Sequence, residues 1–401
     1  MGCYAIVELN HDCLVEPELS VEVVSDPDSF IDMEPLWSDL LEKSGIESPF
    51  LTHQWVRTWW ESFGNGNKLH ILLVKEHEEV IAIAPLMLTR RTMYGLPVRC
   101  LEFIANVHTP RFDFIVSRRT GDVYRAIWSV LSTQEKFWDV LLLCQVLSDS
   151  NTLEEFRRFA GQDGMSCGRW ISADSPYLPL REGWEDYFKQ INSKHRSNLS
   201  RRLRRLSEIG KVEMERISSV DQLEGALEEG FRIEGAAWKD QIATSIQSHP
   251  NSRLFYTRLA DRFAQMGWFQ LNFLTVAGRR IAFHYSLRYA DKVYLLKPGY
   301  DPQFARFSPV NLLCFLFLQD AFRNGLTEFD FLGEEDEWKL QWTRTARRHC
   351  WLFVFSNRLV PSLIYWTKFR VLPLLHNTTI YRAFRNAIWH TGRNGNHHQG
   401  D

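Results

Sequence analysis

A carboxylate set into the apolar stripe of a helix is a natural proton acceptor, and Glu234 occupies such a place. From Ser219 the apolar positions Val220, Leu223, Leu227 and Phe231 recur at helical spacing, and Glu234 and Trp238 continue the stripe. Ser219 and Gln222, three residues on, read as the capping box that starts this helix. Partial burial raises a carboxyl pKa towards values that take a proton from an ammonium group. If the stripe surfaces at this turn, the same residue is instead a solvated partner of Arg232 or Lys239. A second constellation is the run Phe331-Leu-Gly-Glu-Glu-Asp-Glu-Trp-Lys-Leu-Gln-Trp342. There Glu334 to Glu337 would orient a cationic amine and Lys339 would hold an anionic group of the acceptor, whereas a solvated turn accounts equally well for Glu335 and Glu337. Between the two lie Ser308 and Pro309, an N-cap and the proline favoured at the first helical position. They open a helix that runs to Gly325, and free N–H groups at such a start receive anions, phosphate among them. His284 falls inside a strand, where a core imidazole bonded to backbone is the commoner case.

The elements around these residues repeat. Trp268 to Val276 and Ile281 to Leu287 alternate as strands about a turn at Gly278, and Val293 to Leu296 is a third strand. Helices over 219–238 and 252–266 precede them. The first half has the same order: helices over 29–42 and 54–63, strands over 69–74, 80–88 and 98–104, a helix over 123–132 and a strand over 138–143. An offset of about 200 residues fits duplicated domains rather than a solenoid. The spacing predicts an N-terminal segment 1–19, a first domain 20–178, a second, catalytic domain 179–356 and a tail 357–401, with the junction near Ser175-Pro-Tyr-Leu-Pro179. A doubly wound nucleotide fold needs strict strand–helix alternation, which is absent.

Composition narrows the class. With 401 residues, 45% hydrophobic and 15 tryptophans, the chain can build two sizeable cores. A net charge of −2 gives the whole molecule no polyanion-binding character. The seven cysteines form no Cys-x-x-Cys pair, which argues for reduced thiols, no zinc and no disulfide scaffold. The N-terminus lacks the charged and apolar regions of a secretion signal, and no run reaches a membrane-spanning length, so a cytoplasmic protein is expected.

An ordered set of residues resembles the GNAT N-acetyltransferase superfamily, in the double-domain CelD/BioF2-like branch related to the Fem aminoacyltransferases. The set is Pro49-Phe-Leu-Thr-His-Gln-Trp55 with Trp59-Trp60, Ile83-Ala-Pro-Leu86, Lys194-His-Arg196, Arg232-x-Glu234 with Trp238, and Ile281-Ala282. Tyr300-Asp301, Ser308-Pro309 with Leu312-Leu313, and Asp330-Phe-Leu-Gly333 with Trp338-Lys339 and Trp342 complete it over about 45–345. The resemblance implies an α/β fold of two tandem GNAT-like domains with mixed, mostly antiparallel sheets. It implies acyl transfer from acyl-CoA, acetyl-CoA in the first instance, to an amine of a sugar or amino-acid-like acceptor in envelope or exopolysaccharide biosynthesis, without a metal. Arg306, Phe307, Ser308, Val310 and Asn311 then fall in the donor site, although the usual Arg/Gln-x-x-Gly-x-Gly/Ala loop is missing. Glu234 becomes the base and Tyr300, or Tyr294, the proton source for a leaving thiolate. Arg232, Trp238, His284, Gly333, Glu334, Lys339 and Trp342 are assigned to the acceptor cleft, with His53, His108 and Asp113 as first-domain counterparts. The alternatives are a Fem-type enzyme using aminoacyl-tRNA, the only reading with a nucleic-acid partner, and a non-catalytic binding module. A monomer or a homodimer fits either.

Two basic segments remain. Lys194 to Arg205 carries six Lys/Arg and no acid, with Leu199, Leu203 and Leu206 at helical spacing. It reads as an arginine-faced helix packed on the domain junction, or as an anion site. In 357–390, Leu359, Leu363, Trp366, Arg370 and Leu374 fall at near-helical spacing broken by Pro361 and Pro373, and a further helix is expected over 379–388. Such a basic aromatic tail suits the inner face of an anionic membrane, or packs on the second domain. Gly392 to Asp401 reads as disordered.

Overall fold

The structure, a computed structural model, describes residues 19–134, 136–237, 246 and 249–375. The expectations placed on residues 1–18, on Trp238 and on the tail beyond 375 lie outside these.

The first half begins with β1 (Leu19–Val24), followed by α1 (Pro27–Asp32), α2 (Glu34–Ser44) and α3 (His53–Phe63). The helix read over 29–42 is thus two helices that break at Met33, because Pro35 has no N–H to continue the ladder. Next come β2 (Lys68–Glu76), β3 (Glu79–Met93), β4 (Leu96–Phe103), a two-residue β5 (Ile115–Val116), α4 (Thr120–Thr133), β6 (Val140–Leu147), α5 (Asn151–Gln162) and β7 (Ser166–Pro179).

The second half opens with α6 (Trp184–Gln190) and α7 (Ser193–Ser207), then repeats the order. It has β8 (Val212–Ile217), α8 (Leu223–Ala237), α9 (Pro250–Gln265), β9 (Phe269–Val276), β10 (Arg279–Tyr289), β11 (Lys292–Tyr300), α10 (Pro309–Arg323), β12 (Glu328–Asp330), α11 (Glu337–Leu340) and β13 (Ala346–Phe355). The expected capping box at Ser219 does not form. Val220–Gln222 is a 3-10 turn, Ser219 makes no side-chain cap, and α8 starts at Leu223. The described residues close with α12 (Leu359–Trp366), a π turn over Thr367–Val371 and α13 (Leu372–Leu375).

All the long strands join one sheet in the order β1-β2-β3-β4-β6-β13-β7-β12-β11-β10-β9-β8, with β5 alongside β3. Only β4/β6 and β11/β12 run parallel. The centre of the sheet is an exchange. β13 inserts between β6 and β7, while β7 passes on to pair with β12. Each half therefore completes its sheet with a strand from the other, and residues 175–179 lie inside a strand rather than in a linker.

One apolar core runs through both halves under α3 and α9, where the Trp55 ring meets Phe255 edge-on at 5.4 Å and Phe263 at 6.2 Å. A second core lies under α10, and a third, smaller one under α12.

Candidate active site

β11 and β12 pair at only three positions, Lys292↔Glu328, Val293↔Phe329 and Tyr294↔Asp330. Beyond Tyr294, β11 continues along β10 to Tyr300, whereas the chain after Asp330 turns away. The strands part, and a cavity of about 590 Å³ fills the fork. Its walls are Leu295–Tyr300 of β11, Phe331–Gly333 with Asp336, Trp338 and Lys339 after β12, and Ser308–Asn311 at the start of α10, with Glu234 entering from α8. Tyr285 faces Lys297 and Ser286 faces Leu295, which leaves Leu296 as the extra residue of a bulge. A bulge releases backbone groups from the ladder, here beside the cavity.

Glu234 is 3% exposed. Its Oε2 accepts the Ile246 N–H at 2.7 Å. Burial raises its carboxyl pKa, and the Ile246 bond and the Lys297 charge only partly oppose that. Burial likewise lowers the Lys297 pKa, with Glu234 in opposition. Gly299 sets the approach of α8, because a Cβ there would lie 2.5 Å from the Phe283 ring and 3.1 Å from the Glu234 Cα. Lys297 Nζ sits 5.5 Å from the centre of the Tyr256 ring. The Tyr256 hydroxyl bonds to Nδ1 of His108 at 3.2 Å, and His108 Nε2 bonds to Ser252 Oγ at 3.1 Å. His108, pushed down to about 3 by burial, stays neutral and ties the first half to α9.

The start of α10 differs from the expected cap. Ser308 occupies the N-cap position in a left-handed conformation, φ 51°, and its side chain caps nothing. Val310 and Asn311, whose N–H groups follow Pro309 in the first turn, line the cavity and receive no side-chain cap from Ser308. Asn311 Oδ1 accepts Trp342 Nε1 at 3.0 Å, so buried Trp342 braces the helix start rather than lining the cavity. Phe307 belongs to the core under α10, and exposed Arg306 stacks on its ring at 4.7 Å.

The loop after β12 is held from inside. Asp330, fully buried, binds Arg111 of the first half and Arg347 of β13, and its Oδ1 accepts the Leu332 N–H at 2.9 Å. Leu332 and Gly333 both take positive φ, 54° and 64°. Lys339 Nζ donates to the carbonyls of Leu332 and Glu334, each at 2.9 Å, and pairs with Asp336 at 2.8 Å. The ammonium expected to hold an acceptor anion is therefore spent on the loop's own carbonyls, and Lys339 acts as the pin of the wall. Among Glu334 to Glu337 only Asp336 lines the cavity.

Of the remaining expected residues, Tyr300 and Gly333 line the cavity. Arg232 is exposed, pairs with Glu229 at 3.6 Å and stands outside it. His284 is fully buried in the core beneath α10, its pKa lowered to about 3 by burial, so it takes no part in the cleft. In the first half β4 and β6 part after Glu102↔Leu142, the segment at Phe112–Phe114 packs into that fork, and a smaller cavity of about 390 Å³ lies beside this segment, lined by Arg111–Phe114, Leu147 and Asp149–Asn151. Phe112 N–H donates to Gln145 O at 3.2 Å there, and Phe112 and Phe114 pack on Phe103 at 5.1 and 5.4 Å. Asp113 is consumed by Ser150, Thr152 and the Phe114 N–H, and His53 by the Phe30 carbonyl at 2.9 Å. Sequence reasoning missed Lys297, Gly299 and the Leu296 bulge. Lys297-Pro298-Gly299 was the signal, since proline and glycine late in a strand mark a bulge or a close approach.

Residues 193–340 match the family described as "Acetyltransferase (GNAT) domain". The crystal structure of FemX superposes with a TM-score of 0.55 at 12% identity, covering 86% of this chain and 100% of that one. A tandem GNAT protein from the clavulanic acid biosynthesis pathway gives 0.50 at 11% identity, covering 85% and 100%. The C-terminal domain of a putative lysylphosphatidylglycerol synthetase from Agrobacterium fabrum gives 0.51 at 11%, covering 85% and 96%. No curated protein sequence matches the chain. The fold is that of the GNAT/Fem-like double-domain proteins, and residues 193–340 match the GNAT domain family.

Proposed function

We propose that the second half transfers an acyl group, acetyl in the first instance, from acyl-coenzyme A to the amine of an amino sugar or amino-acid-like acceptor. The observation that carries this is the cavity in the β11/β12 fork, with a buried carboxylate on one side and an uncapped helix start on the other. The N–H groups of α10 suit the pyrophosphate of the donor, a substrate here, with Arg306 near the rim. Glu234 takes a proton from the acceptor ammonium. The freed amine attacks the acyl carbonyl; the C–N bond forms as the C–S bond breaks. Backbone N–H groups at the Leu296 bulge stabilise the oxyanion, the Tyr300 hydroxyl supplies the proton to the leaving thiolate, and the proton given up by the acylated nitrogen restores the Tyr300 hydroxyl through solvent. Calorimetric titration with acetyl-coenzyme A and longer acyl-coenzymes A, followed by turnover against a panel of amino sugars and amino acids, tests the reading. Donor binding with no turnover on any amine would sink it.

A second reading takes aminoacyl-tRNA as donor, and one observation favours it. Behind the cavity wall, a cleft of about 790 Å³ is lined by Lys194, His195 and Arg202 of α7 and by Arg344, with no acidic residue in its lining among the described residues. It shares the 336–344 segment with the first cavity, so a polyanion seated there would reach the same wall. Native mass spectrometry with tRNA beside acetyl-coenzyme A separates the two. Binding of neither donor would leave a non-catalytic binding module.

A further inference from the structure

The segment from Leu359 to Leu374 docks on the protein by one side and shows an apolar side to solvent. Pro361 and Ile364 are buried. Tyr365 and Phe369 pack on Phe355 at 5.6 and 6.2 Å, and Gly168 leaves room for the Phe369 ring, which a Cβ there would overlap. On the outer side Leu359 is 90% exposed, Leu363 and Trp366 57% each, and Leu374 81%. Arg370 is exposed on the same stripe. Trp170 of β7, itself half exposed, extends the patch, with Lys368 Nζ 4.7 Å above its ring. Four large apolar side chains on one stripe exceed the scattered exposure usual for a soluble surface.

We propose that this stripe rests on an anionic lipid surface. Charge selects the occupant. Arg370 is exposed beside the Trp366 ring at 5.8 Å, Lys368 is turned inward onto the Trp170 and Phe353 rings, and no Asp or Glu occurs between Trp338 and Gly400. A second copy of the chain docked by the same stripe would bring Arg370 against its own counterpart, whereas an anionic headgroup layer neutralises it. Leu359, Leu363 and Leu374 enter the acyl boundary, and Trp366 sits at headgroup depth. Among the described residues no helix is long and apolar enough to cross a membrane, so the segment lies flat. This inference stands independently of the acyl donor and acceptor.

The test is co-sedimentation of the full chain with vesicles of phosphatidylglycerol and phosphatidylcholine, and with phosphatidylcholine alone. The unmodified protein sediments with the anionic vesicles, less as salt is raised, and stays in solution with the neutral ones. The double variant L363S/W366S binds at least about tenfold more weakly, since burying even one large apolar side chain is worth roughly that factor. R370Q binds anionic vesicles about fivefold more weakly, the worth of one cation at such a surface. Thermal melting confirms that each variant is folded. Absence of binding to anionic vesicles, or equal binding by L363S/W366S, overturns the proposal. So does a concentration-dependent dimer that L363S/W366S abolishes in a protein that ignores vesicles.

Discussion

Glu234 is held in a state that favours chemistry over stability. A carboxyl whose folded-state pKa is raised contributes stability below its unfolded pKa, and that contribution is lost as pH rises through the folded value. Glu234→Gln is therefore expected to keep or raise the melting temperature at pH 8 while turnover falls about 10²–10⁴-fold, the usual worth of a general base. Wild-type turnover in that variant refutes the assignment. The same residue must be ionised to work, so the acid limb of kcat/KM should lie above the usual carboxyl value of 4.5 and vanish in the variant. Lys339 acts differently, through the carbonyls of Leu332 and Glu334. Lys339→Met is expected to weaken donor binding without moving the pH profile, because the wall loosens while the base is untouched. A shifted acid limb would mean that Lys339 meets the reacting groups after all.

At the scale of elements, the site depends on how closely α8 lies on β11. Gly299→Ala forces the new methyl into the Phe283 ring and against the Glu234 backbone, so α8 must move outward. A loss of about 1–3 kcal/mol in stability is expected from the overpacking, with a larger proportional loss of turnover as Glu234 is displaced. Denaturant unfolding and steady-state kinetics measured on one sample check both; full activity would mean that α8 does not position the base. The two forks differ for an equally local reason. The second half's fork is open because α10 follows β11 across a 3-10 turn, Pro302–Phe307, whereas 104–114 runs through the first and packs Phe112 and Phe114 on Phe103. That asymmetry makes one half the candidate catalyst and the other its support.

At the scale of the whole molecule, the strand exchange ties both halves into one folding unit. A chain ending before Ala346 would lack β13 and expose long edges of both β6 and β7, and a fragment of 179–356 would lack β7. Either fragment is expected to be insoluble or molten, judged by near-ultraviolet circular dichroism; a natively folded 179–356 fragment would show that the exchange is dispensable. Acid should unfold the protein early. His108 and His284, lowered to about 3, and His349, lowered to about 4, are all depressed by burial, so stability present above pH 6.5 drains away as pH falls towards those values. Three such protons give a slope of up to about 4 kcal/mol per pH unit between pH 6 and 5, read from melting temperature against pH. A flat profile there would contradict their burial. Local pattern was enough for the order of elements, for Glu234 on an inward helical stripe and for a helix start after β11, because period, proline and glycine act over a few residues. Sequence alone did not reveal that β7 and β13 change places, that Lys339 spends its charge on its own loop, or that Lys297 and Gly299 flank the base. The strand exchange and the flanking of the base are decided by partners dozens to hundreds of residues away, and the Lys339 contacts by the path of the loop after β12, which only the packed chain fixes.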